Sequence, residues 1–411
     1  MTLGAAAVTI TTVNSNSGTY LTFTAPRARV QPPKITLDDA GVLQVARGLL
    51  DDALVELKEA IHGMAVTDEN AREVYRLLHQ IGKTQMWTIF TSPRMMQALQ
   101  DFWRSAMPFA RNPKFSPPLV ICAGAQGSML PIEYLPLFDI NPPDDVRDRA
   151  GLVRACRNIV GFSCVVQRSF IDLPAPQGTV MRPGTQGRVP VRFFYHEGLR
   201  GAERELEWFR DLSDYVDVVG PYPAAADGGP SLGAQIHNPA LLLTGARGPS
   251  ADGVQHFACH CYATAAEPLE NEISLRGSGQ SLRVTLRTLL REVSSHFGEP
   301  GRPAEMPLVV MNACGASRMS STGALSFPWF FLKNENRGFV GSNVEVPDDI
   351  AAEFAIAFYT RFIRQREPFG LAFHQARHHL LNRYGNPLGI SYSAYGNPDL
   401  RIGEFPGVTH V

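Results

Sequence analysis

Hydrophobic and polar positions change their period as the chain is followed from its amino end. Val8 to Thr12 and Tyr20 to Thr24 are short β-branched and aromatic runs separated by Asn14-Ser15-Asn16-Ser17-Gly18, which predicts a hairpin with a polar turn. From Thr36 the period lengthens: Leu43, Ala46, Leu50, Leu54, Leu57 and Ile61 recur at spacings of three and four, which predicts an amphipathic helix. Thr36 and Asp39 have capping-box spacing, and Gly63 serves as a stop. Val74, Leu77, Leu78 and Ile81 predict a second helix, and Ser92-Pro93 reads as an N-cap and first helical position for a third that includes Leu99, Phe102 and Trp103.

After Pro108 the pattern is that of an α/β domain. Apolar runs at Pro118 to Ala123, Val189 to Tyr195, Val254 to Cys259 and Leu308 to Ala313 predict buried strands. Helical stripes lie between or after them at Glu203 to Ser213, Leu282 to Ser294 and Ile350 to Arg364. Strands alternating with helices predict a mostly parallel sheet covered by helices on both faces, preceded by the β-hairpin plus helices. The expected division is an amino-terminal hairpin-plus-helix region at 1–110 and one large domain at 111–411. Asp227-Gly228-Gly229-Pro230 is a surface loop by composition.

Composition narrows the class. With 38 Lys+Arg against 39 Asp+Glu the net charge is -1, and no run of five or six like charges occurs, so a nucleic-acid partner is not expected. The first thirty residues lack a basic cluster before an apolar run, and no window approaches the ~18 apolar residues that span a bilayer, so a cytoplasmic protein with no membrane partner is expected. Six cysteines in 411 residues are too sparse for a disulfide framework and read as reduced thiols.

Two strand ends carry the chemistry. Ligands of open α/β sheets bind outside the carboxyl ends of the strands, so His260, after Val254 to Cys259, and Cys314, after Leu308 to Ala313, are expected on the functional rim. A thiol attacks as its thiolate, and an adjacent imidazole that takes its proton activates it. Gly315 permits a tight turn whose backbone N–H faces a developing oxyanion. On composition alone, a cysteine ending a buried strand is better explained as a small core residue.

His256, Cys259, His260 and Cys261 invite a zinc reading, but side chains of a strand alternate between faces and the four do not converge, so no metal or other cofactor is expected. His374 and His378 form an i, i+4 pair on a predicted helix beside His379, with no third ligand nearby, and read as solvated or core-edge histidines.

The strands ending at His260 and Cys314 resemble the two signature strands of the CHAT family, caspase-like cysteine proteases related to caspases, separase and clostripain. Further elements follow in the family's order: Leu130 to Leu137, Gly201 to Leu206, Gly341 to Asp349, and Ala372 to Leu381 with Tyr395-Gly396-Asn397-Pro398-Asp399, so that the resemblance covers about 115 to 405. It implies a caspase-like sandwich, with Cys314 as nucleophile and His260 as general base of a cysteine endopeptidase acting through a thioester. Backbone N–H groups of Cys261 and Gly315 would form the oxyanion hole. Members usually carry Gly where this chain has Cys261; a positive φ there would strain a cysteine by about 1–2 kcal/mol. That departure keeps open the alternative of a catalytically impaired scaffold or interaction module.

Asp252, Glu345, Asp348 and Asp349 flank the candidate site and could favour a basic side chain before the scissile bond, although Asp348-Asp349 also suits a helix start. The family implies a protein substrate encoded nearby, such as a pore-forming effector, an upstream activator, and a role in bacterial antiviral defence or signalling. Loops at Gln177 to Arg188 and Ala224 to Ser231 are candidates for switching.

Overall fold

The amino-terminal runs form the expected hairpin: β1 (Val8–Ser15) pairs antiparallel with β2 (Gly18–Thr24), Ile10 opposite Phe23. The structure is a computed structural model that describes residues 5–15, 18–33, 35–37, 41–61, 63–90, 92–112, 116–125, 130–141, 146–175, 178–184, 187–222, 231–237, 253–263, 267–277, 280–296, 306–317 and 325–404. Val8, Ile10, Leu21 and Phe23 are buried while Thr22 and Thr24 are exposed, the alternation of a half-buried antiparallel pair.

Of the capping box expected between Thr36 and Asp39, Asp39 lies outside the described residues and Thr36 is a strand residue. Thr36 lies in β3 (Ile35–Leu37) opposite Tyr20, and α1 (Gly41–Ala60) begins later. The alternation of buried Ile35, exposed Thr36 and buried Leu37 has period two, and pairing along β2 prevails over a cap. A capping box does open α2 (Asp68–Ile89), between Thr67 and Asn70. The third helix, α3 (Pro93–Ala106), starts as expected, with the Ser92 hydroxyl accepting from the Met95 N–H at 3.2 Å.

The chain continues through β4 (Leu119–Gly124), α4 (Arg149–Cys156), α5 (Val160–Ser163) and β5 (Val165–Phe170). It divides into two compact units, the first built from Met1–Pro174 and Gly370–Ser393. The sheet order within that unit is β3-β2-β1-β4-β5, with β1, β4 and β5 parallel.

The second unit holds β6 (Val180–Met181), β7 (Val189–Tyr195), α6 (Arg200–Asp211), β8 (Val216–Tyr222), α7 (Leu232–His237), β9 (Val254–Ala258) and β10 (His260–Tyr262). After these come β11 (Glu272–Gly277), β12 (Gln280–Thr285), α8 (Leu286–Ser295), β13 (Leu308–Asn312), α9 (Phe327–Lys333), β14 (Gly338–Ser342) and α10 (Asp348–Tyr359), the last running on as one wide turn through Arg364. Then α11 (Phe369–Tyr384) enters the first unit, and β15 (Tyr392–Gly396) and β16 (Arg401–Ile402) follow. Strands β14, β13, β9, β7 and β8 are neighbours in that order and parallel, the mostly parallel sheet expected.

Both faces of that sheet are covered. His256 stacks on Phe193 at 5.0 Å and meets Phe209 of α6 and Tyr359 of α10. Its neighbour Phe257 points to the opposite face, against Phe194 at 4.5 Å and Phe331 of α9 at 6.0 Å. The helix expected at Leu282 to Ser294 begins only at Leu286, because the preceding residues form β12 and Leu282 faces Leu275 on β11. Thr285 ends the strand and caps the helix, its hydroxyl accepting from the Thr288 N–H.

Candidate active site

Parallel pairing of β9 with β13 sets Val310 beside His256 and Asn312 beside Ala258. His260 and Cys314 each follow two residues beyond that last pair, on neighbouring strands and at their carboxyl ends. This equal overshoot brings both residues to the same rim of the sheet.

The turn at Cys314 is tightly held. Gly315 has φ 67°, and its N–H donates to the Val344 carbonyl at 3.1 Å. The Ser317 N–H donates to the Ser342 carbonyl at 2.7 Å, and the Ser342 hydroxyl lies 3.0 Å from the Ala313 carbonyl. Gly341 is required for this approach, since a Cβ there would meet Ser317 Oγ and the Phe339 ring at 2.8 Å. The Gly315 N–H is therefore already engaged, and an oxyanion role for it requires that bond to open.

Cys314 is half-buried, whereas the other five cysteines are buried. Burial pushes the Cys122 thiol up to about 11 and raises Cys156 and Cys164 further. It also raises Cys259 well above the ordinary thiol value, and the neighbouring Cys261, Cys314 and Glu205 act in the same direction. Those four thiols are poor sources of thiolate at neutral pH.

His260 opens β10 and lies between two rings, His196 edge-on at 4.6 Å and Tyr262 stacked at 6.2 Å. His196 follows the end of β7, and its Nδ1 accepts the Gly198 N–H at 3.1 Å, so the neutral ring carries its proton on Nε2. Partial burial lowers the His196 pKa, and the nearby charges of His260 and Arg276 add to that. Cys261 is buried and extended within β10, opposite Ile273. Among the described residues the non-glycine positions with positive φ are Glu335 and Arg366, so Cys261 does not carry the strain anticipated for it.

One layer below the rim lies a buried polar assembly. His256 Nδ1 is 2.9 Å from the Tyr359 hydroxyl, and Nε2 is 2.6 Å from Glu205 Oε2, in a contact off the hydrogen-bond axis. Asn312 Nδ2 donates to Glu205 Oε1 at 2.7 Å. Its strand residues, His256 and Asn312, precede His260 and Cys314 in the sequence, so α6 and α10 are tied directly to the segments that lead to those two residues. Arg204 and Glu353 pair between the same helices.

The expected acidic residues separate. Asp252 lies outside the described residues. Asp348 Oδ2 accepts the Gly201 N–H at 2.7 Å, and a Cβ on Gly201 would strike Asp348, so this carboxylate fixes the start of α6. Glu345 follows Val344 and is exposed, and Asp349 is exposed in the first turn of α10. The zinc reading of His256 fails because its ring is enclosed by Glu205 and Tyr359. Among the described residues no group of three or more His, Cys, Asp or Glu side chains is arranged to hold a metal ion, and no helix is long and apolar enough to cross a membrane. Of the loops considered for switching, 177, 185–186 and 224–230 lie outside the described residues.

His196, Tyr262, Ser342 and the Glu205–Tyr359 assembly were not singled out from sequence. For His196 a signal existed, since it ends the apolar run Val189 to Tyr195 in the way His260 and Cys314 end theirs.

Residues 190–387 match the CHAT domain. Over 101 residues the chain is 29% identical to a probable protease of Vitiosangium sp. (strain GDMCC 1.1324), a match covering 24% of this chain and spanning only 13% of that relative's length. Two crystal structures of the Saccharomyces cerevisiae separase-securin complex align with TM-scores of 0.43 and 0.39, each at 10% identity over 96% of this chain and 30% of theirs. The domain match spans β7 to α11 and so includes both strand ends described above: the chain is similar to the CHAT domain over those residues.

Proposed function

We propose that this protein is a cysteine endopeptidase with Cys314 as nucleophile and His260 as general base. The observation that carries the reading is the equal overshoot of the two residues beyond the Asn312–Ala258 pair. In the first step the Cys314 Sγ proton passes to the His260 imidazole, and the thiolate adds to the scissile carbonyl carbon. The oxyanion is met by the Cys261 backbone N–H, with Gly315 held to Val344. Collapse breaks the C–N bond, the imidazolium gives its proton to the departing amine, and a thioester remains. Water, deprotonated by His260, then releases the acid and restores the thiol.

The substrate is a partner protein. Glu345, one residue beyond the Val344 carbonyl that holds the Cys314 turn, and Asp349 are the exposed carboxylates placed to favour Lys or Arg before the cleaved bond. Regulated release by an upstream activator, with a role in bacterial defence or signalling, accords with the family. The extended backbone of Cys261 supports the competent reading over an impaired scaffold.

Wild-type and Cys314→Ala proteins incubated with a mixed peptide library and with proteins encoded beside the gene give the test. Cleavage by the wild type alone, with a peptide electrophile attached at Cys314, is expected. Equal background cleavage by both proteins would end the reading, and attachment at Cys261 alone would reassign the nucleophile.

A further inference from the structure

The base of a thiol dyad works when a third group fixes which way its nitrogens face, and that group is ordinarily a hydrogen-bonded acceptor. His260 is held differently: among the described residues its half-buried ring makes no hydrogen bond. What flanks the ring is aromatic. His196 stands nearly perpendicular to it, at 73° with ring centroids 4.6 Å apart, and Tyr262 lies closer to parallel, at 25° and 6.2 Å.

The first of these rings is itself pinned. The His196 backbone N–H donates to the Ala258 carbonyl at 3.0 Å, and its carbonyl accepts the Leu199 N–H at 3.0 Å. Its Nδ1 accepts the Gly198 N–H, and a Cβ on Gly198 would stand 3.2 Å from Nδ1 and Cε1, so the ring fills the space that glycine leaves. Strand β11 closes the frame, placing Ser274 opposite His260 and bridging Arg276 to His196. Charge beside the pair is balanced, since Arg276 Nε meets Glu197 Oε1 at 3.1 Å. Partial burial, with His260 and Arg276 nearby, resists protonation of His196. Tyr262 follows from strand alternation: two residues after His260 in β10, it shares that residue's face, while Cys261 between them is buried. Tyr262 is 54% exposed, so its ring can be changed without opening the core.

We propose that His196 and Tyr262 are positioning residues, two rings that fix the plane of the His260 imidazole in place of a hydrogen-bonded third group. This clamp presupposes the Cys314–His260 dyad proposed above. Perpendicular and stacked ring pairs each have preferred angles, so together they restrict a rotation that one contact alone leaves open. The Tyr262 face also favours the imidazolium that forms when His260 takes the Cys314 proton, because the ring's quadrupole attracts a cation. A neutral His196 suits that step, since a second imidazolium would repel the first.

Alkylation of Cys314 by iodoacetamide, followed by mass spectrometry on the full chain, measures the effect without a known substrate. At pH 7 the thiol depends on its base, whereas at pH 10 a thiol of ordinary pKa, about 8.5, ionises unaided. His196→Ala should slow alkylation at pH 7 by about tenfold and leave the rate at pH 10 within about twofold of the wild type. His196→Phe, which keeps a ring and loses the nitrogens, should recover most of that loss. If His196→Ala does not fold, Tyr262→Val on the exposed face should slow the pH 7 rate by about threefold, with Tyr262→Phe restoring it. Equal slowing at both pH values, no recovery in the phenylalanine variants, or no slowing in either ring-deleting variant overturns the inference. His260→Gln separates the clamp from the dyad. If that variant alkylates like the wild type at pH 7, the dyad fails and the clamp with it; slow His260→Gln beside unaltered ring-deleting variants removes the clamp alone.

Discussion

Glu133 and Glu205 are both buried carboxylates, 1% and 2% exposed, yet the groups that answer their charges differ in kind. In the first unit Glu133 meets two guanidinium groups, Arg168 with Nε at 2.8 Å and Arg377 at 3.9 Å. Burial opposes ionisation of Glu133, but the charge and hydrogen bonds of Arg168 outweigh it, and the carboxyl lies below its ordinary value. In the second unit Glu205 meets an imidazole and a carboxamide, and the imidazole leans on a phenol. Guanidinium meets a carboxylate with a full opposite charge and a fork of donors, whereas a carboxamide offers only a neutral donor. The first cluster is thus a brace of opposite charges, and the second is a mixed hydrogen-bonding assembly beneath the strands that end at His260 and Cys314.

Removing that brace should do the most damage. Glu133→Ala takes the shared carboxylate from two buried guanidinium groups and should lower unfolding free energy by about 3–5 kcal/mol in urea titration. A loss under about 1 kcal/mol would mean that water reaches the arginines. The sign of the pH effect follows from the lowered pKa: the Glu133 contribution is complete above pH 4.5 and fades as pH falls through the lower folded value. Glu133→Gln should remove that acid-limb slope.

Glu205→Ala should be milder, about 2–3 kcal/mol, because His256 keeps its contact with Tyr359. Its distinctive effect lies elsewhere: with Asn312 released, alkylation of Cys314 should slow by about tenfold, at a rate that Glu133→Gln leaves unchanged. Equal slowing in both variants would dissolve the contrast between a brace and a support for the site.

His374, neutral when folded, should make the protein less stable as pH falls from 6.5, because the unfolded chain takes up a proton that the folded ring resists. His374→Leu should flatten that part of the curve in thermal scans between pH 5 and 7. Smallest of all is Cys261→Gly. An extended strand residue without positive φ gains nothing from glycine, so a loss of about 0.5–1 kcal/mol and no rise in turnover are expected.

The helical and strand periods gave most of the architecture without the structure, and the reason is visible in what they missed. Val189 to Tyr195 and Leu308 to Asn312 are buried on both faces and stand out as continuous apolar runs. Gln280 to Thr285 is half-exposed and short, and its Leu282 and Val284 continue into a helical spacing that conceals the strand. His260 and Cys314 were legible because each ends an apolar run. The Glu205–His256 contact was not, because it joins a helix to a strand through tertiary packing, and no local spacing encodes such a pair. Asp348 illustrates the converse: as a sequence feature it suits a pocket or a helix start equally, and only the Gly201 N–H decides between them.

Parallel pairing has a temporal consequence. A chain made from its amino end presents His260 while Cys314 is still unsynthesised, and β13 cannot dock beside β9 until the intervening β10–β12 sheet and α8 have emerged. Even then the Cys314 turn lacks its anchors, because Ser342 and Val344 are translated later still. The order of residues along the chain thus acts as a timer: no nascent fragment ending before β14 holds the thiol in its finished turn.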